Sequence, residues 1–214
     1  TNLGALPEDT SNLFFVLKKK DTRAVYFNCN GEGTDTYRLL FKAMKTFKIS
    51  AKVLAKIIRI FDENINGLKM IDDNRFELDY QGKKQVVSDD ELIYLLSSGT
   101  TKGILLYLFV VAALENGFDL LIDEVENHFH KTLVENMISL FKDKTVNRRS
   151  ATLIFTTHYC ELLDLFGRQD NIWIAKADDK VRIMNMYDSY SIRPELMKSR
   201  QFYNNAFNTA VNYE

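Results

Sequence analysis

Two acidic side chains close a run of apolar residues at Phe118-Asp119-Leu120-Leu121-Ile122-Asp123-Glu124. A buried strand ending this way sets a carboxylate pair at the carboxyl edge of a parallel sheet, where α/β proteins build their sites. Hydrolysis of a nucleotide uses such a pair: one carboxylate holds Mg²⁺, directly or through water, and the other polarises the water that attacks the γ-phosphate. An acidic residue that only caps the following turn gives the same string, so the pair needs companions. Thr156-Thr157-His158 follows the next apolar stretch. An imidazole leaving a neighbouring strand on the same edge can hydrogen-bond a γ-phosphate or an attacking water, although a lone histidine after a strand is commonly structural. Leu96-Ser97-Ser98-Gly99-Thr100, with Lys102 and Gly103, opens a long apolar stretch. Small residues at a helix start leave N–H groups and a serine hydroxyl for an anion, or simply cap the helix.

These segments need elements to hold them. Arg23 to Asn28 alternates and is β-rich, and the glycines of Cys29–Asp35 end it. Helical spacing follows in Leu39, Leu40, Ala43, Met44 and Phe47, then in Val53, Leu54, Ile57, Ile58 and Phe61; the intervening Lys and Arg form the solvated faces. From Leu68 to Val87 the period falls to two, with turns at Asp72-Asp73-Asn74 and Gln81-Gly82, as in a small antiparallel meander. Ser88 and Glu91 have the spacing of a capping box. Beyond Leu96 come a buried helix around Ile104–Leu114, a strand at Asp119–Asp123, an amphipathic helix over Lys131–Lys142 and a strand at Thr152–Thr156. This alternation predicts a parallel sheet. A short helix near Glu161–Phe166, strands at Asn171–Ala175 and Val181–Met186 flanking Asp178-Asp179, and a tyrosine-rich tail or surface helix complete the chain. The expected domains are 1–95, 96–190 and a tail at 191–214.

The 214 residues are 46% hydrophobic, enough for a core, with a net charge of −1 that shows no gross basic field for nucleic acid or membrane. The eleven-residue apolar run at 104–114 is too short to span a bilayer, and no secretory leader is read at the N-terminus. Cys29 and Cys160 fit neither a disulfide framework nor a zinc pattern, so both are expected as reduced thiols in a cytoplasmic protein.

In order and spacing, the three segments resemble those of the ATP-binding-cassette (ABC) type of ATPase head. Leu96–Thr100 stands where that superfamily has its signature, Asp119–Glu124 looks like its Walker B strand with the catalytic glutamate, and His158 matches its switch histidine. Asn127-His128-Phe129-His130 falls at the D-loop, in a string similar to that of soluble members: SMC and DNA-repair heads, OLD-family ATPases and AAA-type proteins of bacterial phage defence and abortive infection. The segment from Ile192 to Phe207 is similar to the C-terminal region of the defence-associated group. The implied fold is α/β, the C-terminal lobe of a P-loop ABC-type ATPase with a mainly parallel sheet, preceded by a helical segment and the meander.

The resemblance implies ATP and Mg²⁺ as ligands and a head-to-tail homodimer closing on nucleotide. Glu124 would be the general base, His158 the γ-phosphate sensor and Asp123 the Mg²⁺ ligand through water. Ser97, Ser98, Gly99, Thr100 and Lys102 would meet phosphate in trans, and Asn127, His128 and His130 would meet the second subunit. His128 and His130 beside Glu124 and Glu126 also suggest a transition-metal site, but no third ligand spacing is evident, so the D-loop reading is favoured. A protein effector is the expected partner, with DNA the alternative on the repair-head analogy and no membrane; a transporter subunit fits poorly with the strands after Leu68. A further alternative is an ATP-gated scaffold that uses hydrolysis only to reset, or a relative that has lost nucleotide binding. A Walker A loop, G-x-x-x-x-G-K-[ST], is absent: none of the nine glycines lies five positions from another. The chain is therefore expected to be the C-terminal part of a longer ATPase and inactive alone.

Overall fold

The computed structural model describes residues 24–28, 35–72, 75–95, 98–127, 129–177, 180–193 and 195–209. Within them the chain is mixed α/β, with one three-stranded parallel sheet, one three-stranded antiparallel sheet and one antiparallel hairpin. Two compact units divide between Thr156 and Thr157.

In the first unit, strand β1 (Ala24–Asn28) is followed by helices α1 (Asp35–Phe47) and α2 (Ala51–Phe61). Helix α2 starts at Ser50, whose hydroxyl accepts the Val53 N–H, and turns Leu54, Ile57 and Ile58 inward at the expected spacing. Strands β2 (Ile65–Met70), β3 (Arg75–Tyr80) and β4 (Lys83–Ser88) form the meander, with Gln81 and Gly82 both at positive φ (50° and 79°) in the β3–β4 turn. Two successive positive φ values make the turn type that matches strand twist, which is why a glycine sits there. The capping box is present: Glu91 N–H donates to Ser88 Oγ (3.1 Å) and Ser88 N–H to Glu91 Oε2 (2.8 Å), opening α3 (Asp89–Leu95).

Helix α4 (Ser98–Asn116) is apolar on almost every face, and Ile104 to Val110 are all buried. It packs on α1 and α2 and is joined by Gly117 (φ 76°) to β5 (Asp119–Asp123), whose Leu120 and Ile122 are buried. Helix α5 (Lys131–Lys142) and strand β6 (Leu153–Phe155) follow. The parallel sheet has the order β1-β5-β6, so β5 is its central strand.

At Gly103 the Phe61 ring of α2 lies directly against α4. A Cβ there would stand 2.2 Å from Cε1 of Phe61, whose ring in turn meets Tyr107 edge-on at 5.5 Å. Replacing Gly103 by alanine, favourable for an exposed helix, is expected instead to destabilise the fold by about 1–3 kcal/mol through overpacking. Chemical denaturation with an unchanged slope would check this; a stabilised variant would contradict it.

The second unit holds a 3-10 turn at Cys160–Leu165, strands β7 (Trp173–Ala177) and β8 (Val181–Asn185), and helices α6 (Met186–Ser189) and α7 (Lys198–Tyr203). Its core gathers Ile172, Ile174, Met186 and Phe207, with Tyr190, Ile192 and Phe202 packed around them. Residues 191–209, expected as a tail or a surface helix, do carry a helix, yet Phe207 is 1% exposed and meets the Tyr190 ring edge-on at 5.0 Å. Asp164 fastens α7 by accepting the Ser199 N–H (3.1 Å) and its hydroxyl. The opposite hairpin face leaves Trp173, Val181 and Ile183 exposed. Among the described residues no helix is long and apolar enough to cross a membrane.

Candidate functional site

Parallel register sets the site. Asn28 on β1 is level with Asp123 on β5, and Ile122 is level with Phe155 on β6, so the sheet ends together at Asp123 and Thr156. The ladder continues one step past the strands: Thr156 N–H donates to Ile122 O (3.0 Å) and Val125 N–H to Thr156 O (3.0 Å).

Asp123, half-buried at this edge, accepts from two neutral hydroxyls, Thr156 Oγ1 at 2.6 Å on Oδ1 and Tyr26 Oη at 3.3 Å on Oδ2. Glu124 turns the chain at φ 49°, a left-handed conformation that L residues seldom adopt. Its main-chain N–H donates to Thr156 Oγ1 (2.7 Å), and its carboxylate accepts from Asn127 Nδ2. The backbone bond from Asn127 N–H to Glu124 O (2.9 Å) closes this turn. Asp123, Glu124, Asn127 and Thr156 thus form one hydrogen-bonded cluster, with Val125 fully buried beneath it.

Gly99, Thr100 and Lys102 lie in the opening turns of α4, Ser98 is its first residue, and Ser97 falls outside the described residues. Gly103, read as part of an anion cradle, is the sixth residue of the helix; its N–H lies past the first four that a ligand could reach. Packing against Phe61 explains it instead. The Phe27 ring on β1 meets the Phe109 ring on α4, with centroids 6.3 Å apart. Gly99 is ten residues nearer the helix start, about 15 Å along the axis at 1.5 Å per residue.

His130 caps α5, its Nδ1 accepting the Thr132 N–H at 3.4 Å and lying 3.2 Å from Thr132 Oγ1. His128 lies outside the described residues. His158, exposed, is the second residue of the second unit. Among the described residues no group of three or more His, Cys, Asp or Glu side chains could hold a metal ion by itself. Mg²⁺ takes one or two carboxylates together with substrate phosphates and water rather than an all-protein cage. The carboxylate oxygens of Asp123 are of the right hardness for it. Cys160 is a buried free thiol, as expected; Cys29 is not among the described residues.

Reasoning from sequence missed Tyr26 and the part played by Thr156. The threonine was visible only as the first letter of Thr-Thr-His, and the tyrosine reaches Asp123 through a pairing of strands 97 positions apart.

The chain matches no protein-family model, and no curated protein is significantly similar to it.

Proposed function

We propose that this chain supplies the hydrolytic edge of a cytoplasmic ABC-type ATPase. The observation that carries the reading is the carboxylate pair at the carboxyl end of the central parallel strand, the Asp123 carboxylate and the Glu124 main-chain N–H both bonded to Thr156, the residue after the neighbouring strand. When bound, Mg²⁺ offsets the charge of the β- and γ-phosphates. Asp123 would hold it through water. The Glu124 carboxylate, oriented by the Asn127 amide, takes the proton of the attacking water. For His158 the resemblance alone supports the role of γ-phosphate sensor. The phosphate cradle comes from a polypeptide segment outside this sequence, which has no G-x-x-x-x-G-K-[ST] pattern.

The active form is a head-to-tail dimer. The resemblance carries this reading, since in ABC-type heads the signature of one copy closes on the nucleotide held by the other. In trans, Ser97, Ser98, Gly99, Thr100 and Lys102 close on the nucleotide held by the partner copy, with Asn127, His128 and His130 at the seam. The output is the activity of a protein effector in phage defence, the narrower part of the resemblance.

Phosphate release by the intact protein tests hydrolysis directly. A second reading, ATP-gated association with DNA, has its own test. A net charge of −1 favours a protein partner, so the dimer is expected to show no DNA affinity even at low salt; affinity that falls steeply as salt rises would favour the DNA reading.

A further inference from the structure

We propose that Thr156 is the positioning residue of the carboxylate pair, one hydroxyl setting the side chain of Asp123 and the backbone of Glu124 together. The inference rests on the hydrolase reading and names a residue to which that reading gives no task.

A threonine hydroxyl has one proton and two acceptor lone pairs. An ionised carboxylate only accepts, so the proton of Thr156 Oγ1 goes to Asp123 Oδ1 across 2.6 Å. A lone pair then receives the Glu124 N–H across 2.7 Å. Both bonds are made at once, and each polarises the other. The next N–H along the chain, that of Val125, is accepted by the carbonyl of the same threonine at 3.0 Å. Both peptide N–H groups that follow β5 therefore end on Thr156.

This explains how Glu124 stays at φ 49°. A left-handed glutamate relaxes unless neighbouring groups over-determine it, and here the bonds come from residue 156 on one side and from the Asn127 amide and N–H on the other. The turn re-aims the chain directly after the strand and carries the Glu124 side chain away from its extended course. Valine at 156 would keep the shape of the side chain and remove the hydroxyl, leaving Asp123 Oδ1 and the Glu124 N–H each without this partner. Serine would keep both bonds.

The test compares Thr156→Val and Thr156→Ser in the intact protein by three measurements: single-turnover ATP hydrolysis, ATP affinity, and hydrogen exchange at the Glu124 amide without nucleotide. Thr156→Val is expected to slow the chemical step about 10–100-fold, the usual effect of removing a group that orients a reacting one. ATP affinity should stay within about threefold, because the residue orients the pair and does not grip the nucleotide. Exchange at Glu124 should rise selectively, and Thr156→Ser should restore both rate and protection. A purely structural role would instead raise exchange throughout β5 and α5. Should the valine variant not fold, Thr156→Ala carries the same expectations. Wild-type turnover and protection in Thr156→Val, with Glu124→Gln inactive, would overturn the clamp and leave the hydrolase reading standing. Wild-type turnover in both variants would overturn that reading and the clamp with it.

Discussion

Glu124→Gln is expected to slow ATP hydrolysis by the intact protein roughly 10²–10⁴-fold, the contribution of a positioned general base, while leaving ATP binding in place. The amide keeps the size of the side chain and can still meet Asn127, whose Nδ2 now faces the Glu124 carboxylate. What would be lost is the basic carboxylate proposed to take the proton from water. Rate and affinity should therefore separate: the single-turnover rate falls and the nucleotide Kd holds. Unchanged turnover would remove Glu124 from this role.

Phe109→Ala is expected to cost about 3–5 kcal/mol of stability, the range for truncating a fully buried aromatic side chain. Phe109 is 0% exposed on α4, and its ring meets Phe27 on β1 at 6.3 Å and Phe47 on α1 edge-on at 5.8 Å. Collapse around the cavity is restrained because three elements converge there, and strand β1 carries the tyrosine that reaches Asp123. Urea unfolding should show a lower midpoint with an unchanged slope. A loss below about 1 kcal/mol would mean that the site collapses freely.

The elements that carry the site were legible where local pattern and tertiary burial agree. Strand β5 and helix α5 fall at Asp119–Asp123 and Lys131–Lys142 as expected, since a short apolar run between two acidic residues and a 3.6-residue period each have one reading there. The capping box was legible because both halves of it, Ser88 and Glu91, are local.

Strand ends were less so. The expected strand at Thr152–Thr156 is Leu153–Phe155, although Leu120 N–H to Thr152 O (2.8 Å) and Thr156 N–H to Ile122 O extend its ladder. The strand expected at Asn171–Ala175 is Trp173–Ala177, because Ile172 N–H turns back to Gln169 O (3.1 Å) and pairing with β8 begins only at Trp173. Alternation shows which residues share a face and does not show where hydrogen bonding to a distant strand starts. The role of Thr156 depends on the β5–β6 register, some thirty residues of separation that no local window spans. Gly103 misled for a related reason: small residues at a helix start suit an anion and also suit a crossing helix, and only the position of Phe61 separates the two.

The central claim is that two copies close on ATP, the start of α4 in one facing the carboxylates of the other. Sedimentation of the Glu124→Gln protein with and without ATP tests it most directly, because the variant holds nucleotide without consuming it. A dimer at saturating ATP that reverts to monomer when nucleotide is removed, and that Gly99→Glu abolishes, is the expected result. A monomer at saturating ATP, or a dimer indifferent to both nucleotide and Gly99→Glu, would contradict it.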